Sequence, residues 1–248
     1  MAHRFFINRD TFSGILDGED GHHAARVLRL RVGEFVTVCD GYGQEAEAKV
    51  LSVASDCVDL NVGEWKQSPN EPRVKATIYL GIAKGERMDY AIQKCVELGA
   101  TTIVPFTSER CIVKIDDGAK KVARWQKIAK AAASQAGRGI VPIVQDVMTF
   151  EKAIDAAAVT IWENKLLFCY EGGGISLKER LNKGFAHVYG DKLCVDIMTG
   201  PEGGYTPEEA AYAATAGITA VTLGKRILRC ETAPVAALAA VMYHYGEM

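Results

Sequence analysis

The chain has 248 residues, of which 48% are hydrophobic and 24% charged, with a formal net charge of −2. This composition excludes a disordered or collagen-like chain and leaves enough apolar material for one large domain or two modest ones. It also excludes nucleic-acid binding through bulk charge alone, so any such contact has to come from local basic patches.

The opening MAHRFFINRD is charged early and lacks the apolar run and small-residue cleavage site of a secretory signal. No apolar stretch approaches the roughly 20 residues that span a bilayer, so a cytoplasmic protein without membrane contact is expected. A helix is predicted from about Glu19 to Leu30. Short strands follow at 35–39 (FVTVC), 45–53 (EAEAKVLSV) and 58–62 (VDLNV), punctuated by Asp40-Gly41 and Gly63. GYGQEA at 41–46 lies between two strand candidates and reads as a hairpin turn, not as a dinucleotide-binding glycine motif. The stretch GEWKQSPNEPR at 63–73 has the composition of an interdomain connection. Residues 1–72 carry seven Lys and Arg against twelve Asp and Glu, while the remainder is net positive.

After residue 73 the rhythm becomes strand–helix. The predicted strands are 74–83, 101–106, 159–162, 165–170, 193–200 and 220–224. Helices are predicted at 87–99, as a long basic helix at about 119–136, at 206–217 and at 233–245. Such alternation implies a mostly parallel sheet covered on both faces. The last helix, APVAALAAVMYHY, is apolar nearly all round and should be buried on more than one side, within the domain or against a second copy.

Seven cysteines, at 39, 57, 95, 111, 169, 194 and 230, are scattered singly and fit neither a disulfide framework nor a zinc site. Free thiols in a reducing compartment are expected. The adjacent His22 and His23 cannot share a helix face, and no metal site is predicted.

Chemistry is expected at two glycine-bearing turns. LCVDIMTG runs into PEGGYTPEE, where Thr206, Pro207 and Glu209 form a capping box. Gly200, Gly203 and Gly204 therefore occupy a loop at the carboxyl end of a strand, where open α/β sheets place ligands. AVTLG ends at Gly224, and KRILRCET leads into the last helix with Glu231 or Thr232 as N-cap. Across one crevice, backbone groups of these turns can read a purine edge between apolar walls from Ile197, Met198, Leu223, Ile227 and Leu228. That suits an adenosine-bearing ligand. No Walker phosphate loop is present.

Taken together in order, KGERMDYAIQKCVELGA (84–100), SERCIVK (108–114), RWQKIAKAAASQAGRG (124–139), GPEGGYTPEE (200–209) and LGKRILRCETA (223–233) resemble the RsmE family. That family comprises SPOUT-superfamily methyltransferases acting on N3 of a uridine in 16S ribosomal RNA. The N-terminal HRFF and HHAARVLRLRVGE (22–34) extend the resemblance over nearly the whole chain. Lys225 stands where the family usually has Pro, Cys230 where it usually has Thr, and Cys111 where it often has Ser.

The resemblance implies an α/β fold: a small PUA-like, RNA-binding β-barrel at 1–72 and a SPOUT domain with a trefoil knot at 73–248, forming a homodimer. It implies S-adenosyl-L-methionine as cofactor, held by Met198, Thr199, Gly200, Pro201, Glu202, Gly203, Leu223, Gly224, Ile227, Leu228 and Cys230. Arg229 is the candidate for stabilising charge on the uracil oxygens, unless it merely pairs with Glu231; Glu202 is the candidate for orienting substrate or loop. No general base is assigned. RNA contacts are expected from Arg4, Arg26, Arg29 and Arg31, from Arg110, Lys114 and Arg138, and from Arg124 and Lys127 on the basic helix. The partner would be 16S rRNA within the small ribosomal subunit. The alternatives are a SPOUT enzyme acting on tRNA or a ribose 2′-hydroxyl, and a non-catalytic RNA-binding assembly factor.

Overall fold

A computed structural model describes residues 3–113, 117–158, 166–184, 187–190 and 192–248. The chain divides into two compact units, Met1–Glu71 with Ala133–Val141, and Pro72–Ala132 with Pro142–Met248. The sequence placed 133–141 with the C-terminal part; in the structure this segment packs with the N-terminal residues.

The first unit is built on a curled five-stranded sheet in the order β1 (Arg4–Phe6), β3 (Phe35–Cys39), β4 (Gln44–Val53), β5 (Val58–Gln67), β2 (Ile15–Leu16). Its pairings are antiparallel except β1 with β3. Alternation along β3 and β4 sends Val36, Val38, Ala46, Ala48 and Val50 into a core shared with Phe5, Leu16 and Leu30. β5 runs on to Gln67, so the expected connection is shorter than its composition suggested. The predicted helix at 19–30 breaks into α1 (Gly18–His22) and a π-helical turn, His23–Val27. Leu30 N–H reaches back to Ala24 O, and Arg29 takes a left-handed φ of 54°. The hydrophobic demand for Ala24 and Leu30 in the core outweighs regular helical spacing here.

On the opposite face of this sheet, Arg4 donates to Glu45 (2.7 Å) and to Cys39 Sγ (2.8 Å), and Ser68 Oγ donates to Glu45 (2.9 Å). Burial pushes the Cys39 thiol up to about 11. The 133–141 segment lies over this cluster: Ser134 Oγ donates to Arg4 O, and Gly139 sits against Ser68. Glu71 fixes it further, accepting from Arg138 (2.8 Å) and from the N–H groups of Gly139 and Ile140.

The second unit carries a parallel sheet in the order β11 (Ile175–Ser176), β14 (Ala220–Thr222), β10 (Leu166–Cys169), β13 (Lys192–Thr199), β6 (Val74–Gly81), β7 (Ala100–Thr107), β8 (Ile143–Val144). β9 (Met148–Thr149) adds parallel to β7, and β12 (His187–Tyr189) antiparallel to β13. The predicted strand at 159–162 lies outside the described residues. The helices are α2 (Glu86–Glu97), α3 (Gly118–Gln135), α4 (Phe150–Ala158), α5 (Leu177–Asn182), α6 (Pro207–Thr215) and α7 (Thr232–His244). None of the described helices is long and apolar enough to cross a membrane.

Tyr205 anchors the core below the carboxyl ends of the strands, with ring centroids 4.6 Å from Phe168 and 5.6 Å from Phe150. The residues after it start α6 as expected: Thr206 Oγ1 accepts from Glu209 N–H, and the Glu209 carboxylate accepts from Thr206 N–H. Thr206→Ala should therefore cost about 1 kcal/mol of stability, read as a lowered urea midpoint. α7 buries Pro234, Ala237, Leu238, Val241 and Met242 against its own unit, while Val235, Ala236, Ala239 and Ala240 stay half-buried.

Candidate active site

Strand order determines where the two glycine turns meet. β10 lies between β14 and β13, so the chain leaving all three carboxyl ends surrounds one crevice of about 560 Å³. One wall is Thr199–Gly204 after β13 and the other is Thr222–Glu231 after β14; Cys169–Glu171, leaving β10, lies between them. A crevice at the carboxyl ends of parallel strands, of a size that holds a small ligand, is the general binding position of such sheets.

The wall at 200–204 is compact because its neighbours leave no room for side chains. A Cβ on Gly81, at the end of β6, would lie 2.7 Å from the Gly200 carbonyl carbon, so the loop rests directly on the strand end. Gly203 packs on Arg110, whose guanidinium donates to Gly203 O (3.2 Å). Gly204 adopts φ +66°, and Tyr205 N–H donates to Glu171 Oε1 (3.2 Å).

Glu202 anchors the same loop to the start of α2. Its Oε1 accepts from Lys84 N–H (2.8 Å) and Arg87 (3.0 Å). Burial pushes the Glu202 carboxyl up, but hydrogen bonds from the Lys84 N–H, from its own N–H and from Arg87 outweigh it and hold the group below its ordinary value. A carboxyl lowered in the fold contributes above its unfolded value and loses that contribution as pH falls through the folded one, so the anchor is intact near neutrality. Arg87 is half exposed, which discounts the pair; Arg87→Ala should weaken ligand binding by about 1 kcal/mol, roughly fivefold in a calorimetric Kd.

Of the residues expected around a cofactor, Thr199, Gly200, Pro201, Glu202, Gly203, Leu223, Gly224, Ile227, Leu228 and Cys230 line the crevice. Met198 does not; it is fully buried in the core behind the wall, because the side chains of β13 alternate and Thr199 takes the outward place. Ile227 lines the rim with 86% of its surface exposed. Arg229 also lines the crevice, exposed, and makes no ion pair with Glu231, whose carboxylate accepts from Cys230 Sγ (3.2 Å). Burial pushes the Cys230 thiol up to about 12, which keeps it a protonated donor to Glu231.

Sequence reasoning missed Arg87, Tyr170 and Glu171. Arg87 and Glu202 are 115 positions apart. For Glu171 a signal existed, the unused glycine run at 172–174 directly after the strand predicted at 165–170. The KGERMDY run contained Arg87, but only the fold brings it to the loop.

The expected RNA contacts separate into several environments. Arg4 and Arg138 are corrections: their side chains are 9% and 3% exposed and paired with Glu45 and Glu71, so they are internal to the first unit and offer no surface to phosphate. Arg110 holds the glycine loop, and Arg124 pairs with Asp89 on α2. Arg26 lies 3.8 Å from Asp56, which also binds His22. Arg29, Arg31 and Lys127 are exposed, and Lys114 lies outside the described residues.

The crevice fits an adenosine-bearing cofactor with several polar groups. Thr199 Oγ1 and Glu202 Oε2 are buried without a hydrogen-bond partner among the described residues, a costly state that a polar ligand would relieve. Leu223 and Leu228 give the apolar contact, and the glycine backbones of both turns allow close approach.

Comparison with known proteins agrees with this chemistry. A family model described as an RNA methyltransferase domain matches residues 69–242, and one described as an RNA methyltransferase PUA domain matches 16–61. The ribosomal RNA small subunit methyltransferase E of Bacillus subtilis is 37% identical over 240 residues, covering 94% of this chain and 90% of its own. The crystal structure of ribosomal RNA small subunit methyltransferase E from Neisseria gonorrhoeae bound to S-adenosyl methionine superposes with a TM-score of 0.84, at 35% identity and 98% coverage of both chains. A methyltransferase of Legionella pneumophila, in complex with the same cofactor, gives a TM-score of 0.85 at 28% identity and 98% coverage of both chains.

Proposed function

This chain belongs to the RNA methyltransferase family that includes ribosomal RNA small subunit methyltransferase E, and from that premise we propose that it methylates N3 of a uridine in 16S ribosomal RNA. The observation that carries the reading is the single crevice that β14, β10 and β13 build from two glycine turns, with unpaired polar atoms inside and cations at its rim. S-adenosylmethionine, when bound, supplies a methyl group on a sulfonium that is already a good leaving group. Thr199 Oγ1, Glu202 Oε2 and the backbone of Gly200–Gly203 and Leu223–Leu228 hold it; Cys230 closes the wall where the family usually carries Thr.

The protein then needs mainly to align the two reactants and exclude water. Arg229, with no ion pair among the described residues, faces the crevice and stabilises negative charge developing on the uracil oxygens. Glu202 acts by holding the loop and one end of the cofactor, not by proton transfer, because Lys84 N–H and Arg87 already occupy its Oε1.

The N-terminal unit, Met1–Glu71 with the segment at 133–141, serves as the RNA-binding module, with Arg29 and Arg31 and the partly paired Arg26 as its phosphate contacts. In the second unit, Lys127, Arg110 and Arg124, none of them free of other contacts, play the same part. The chain after Thr222 passes the 200–204 loop and returns as α7 onto α2, β6 and β13; this return supports the trefoil knot that the sequence resemblance implies. The half-buried small residues of α7 (Val235, Ala236, Ala239, Ala240) support a homodimer. The site of action is the small subunit in the cytoplasm.

N3 methylation blocks the Watson–Crick edge, so reverse transcription of 16S rRNA should stop at one uridine when a deletion strain is complemented with this chain. A stop-free transcript, or transfer to tRNA in preference to 16S rRNA, would overturn the assignment.

A further inference from the structure

Three carboxylates line the crevice among the described residues: Glu171, Glu202 and Glu231. Two are engaged. Glu202 Oε1 accepts from Lys84 N–H and Arg87, and its Oε2 is buried in the wall. Glu231 accepts from the Cys230 thiol and stands at the N-cap position of α7. Glu171 differs in position and in partners. It leaves β10, the strand between β14 and β13, and so stands on the floor between the two glycine turns. Tyr205 N–H holds its Oε1, with Gly204 packed against the same oxygen. Oε2 makes no hydrogen bond among the described residues, and the residue is exposed to the crevice. One carboxylate oxygen is thus fixed to the loop and the other is presented to the cavity.

The surrounding charges complete the arrangement. Lys225, Arg226 and Arg229 on the wall after β14 are exposed, and none makes an ion pair among the described residues. Arg87, on α2, is turned to Glu202. Below Glu171, Tyr205 is a fully buried phenol held protonated by burial, and the Cys169 thiol, pushed up to about 12 by burial, donates to Leu167 O. Glu209 is committed to the capping box and to Glu109 N–H. The floor therefore presents a proton acceptor and one wall presents cations.

Uracil N3 is a poor nucleophile while it carries its proton, so a reaction at N3 needs both a place for that proton and stabilisation of the charge it leaves. We propose that Glu171 is the proton acceptor, an inference that rests on the methyl-transfer reading above. The N3–H bond breaks and the proton passes to Glu171 Oε2, while the negative charge left on uracil is held at its oxygens by the Arg229 wall. N3 then forms its bond to the methyl carbon as the carbon–sulfur bond breaks, and that electron pair stays on sulfur, giving S-adenosylhomocysteine. Glu171 returns its proton to water after the products leave. A positioned base of this kind contributes about 100- to 10,000-fold.

The test compares Glu171→Gln and Glu171→Asp with the parent in full-length protein. Glutamine keeps an oxygen for Tyr205 N–H but cannot take a proton, so kcat should fall at least about 100-fold. The calorimetric Kd for S-adenosylhomocysteine should stay within about threefold of the parent. Aspartate should recover part of the rate. The parent rate should decline on the acid side, whereas the residual rate of Glu171→Gln should climb about tenfold per pH unit as hydroxide takes the proton instead. RNA with 5-fluorouridine at the target, whose N3 proton is more acidic, should narrow the gap between parent and Glu171→Gln. Loss of S-adenosylhomocysteine binding in proportion to activity would make Glu171 a cofactor ligand and overturn the proposal, as would an unchanged kcat or an unchanged gap with 5-fluorouridine. A parent enzyme that methylates RNA at another atom would instead overturn the N3 reading itself, and this proposal with it.

Discussion

Glu71→Ala is expected to destabilise the N-terminal unit by about 3–5 kcal/mol. Glu71 and Arg138 side chains are 6% and 3% exposed, so truncating the carboxylate leaves a guanidinium in the interior without the charge it was buried against. The same truncation strips the acceptor from the N–H groups of Gly139 and Ile140, although backbone bonds to Gly41 and Gly43 and the Asn70–Gly137 contact still tie the segment down. Urea denaturation followed by Trp65 fluorescence reads the effect, since Trp65 packs on the core of that unit. Glu71→Gln keeps an oxygen for the two N–H groups and should lose roughly half as much. An unshifted midpoint for both would show that the pair contributes nothing net, as surface pairs commonly do.

Gly81→Ala is expected to lower kcat/KM by about 100-fold while leaving the fold intact, because displacing a positioned reactant by about 1 Å costs that much. A methyl group at 81 would sit 2.7 Å from the Gly200 carbonyl carbon and 2.6 Å from Pro201 Cδ. Backbone and a proline ring cannot swing aside as a flexible side chain would, so the whole 200–204 wall must lift. Calorimetry with S-adenosylhomocysteine should show the loss in affinity, and circular dichroism an unchanged fold. Near-parental binding would mean that the wall can yield without cost.

The contrast between these two sites indicates what the amino-acid order made legible. The strand 193–200, the glycine turn and the capping box at Thr206 were readable because each rests on neighbours within a few positions. The strands of the N-terminal sheet were readable from alternation, since one face is buried and a single-residue slip would invert it. Gly81 was not singled out, because its smallness answers to Pro201, far away in sequence. Arg138 looked like one more cation beside a basic helix, and its partner lies 67 positions earlier. The helix expected at 19–30 failed for a related reason: the burial of Leu30 beside Phe5 and Val50 bends the chain through a π-turn and a left-handed Arg29. Glu171 was half legible: the glycines at 172–174 mark a third turn at a strand end, but strand order, not local sequence, puts β10 between β14 and β13.

The division of the first unit between residues 3–71 and 133–141 has a consequence for synthesis. A chain emerging from the ribosome completes β5 at Gln67, but the face of that sheet bearing Arg4, Glu45 and Ser68 then has no cover. Its lid, the end of α3 and the residues after it, arrives only after β6, α2, β7 and α3 as far as Ala132 have been translated, and those belong to the other unit. The nascent N-terminal sheet must therefore wait, with a charged and still wetted face, from Gln67 until Val141 has been made, roughly a third of the chain's production, before it can close. Of the two units, the one that begins first cannot finish first by itself, and the order of assembly is set by where a nine-residue strap sits along the message.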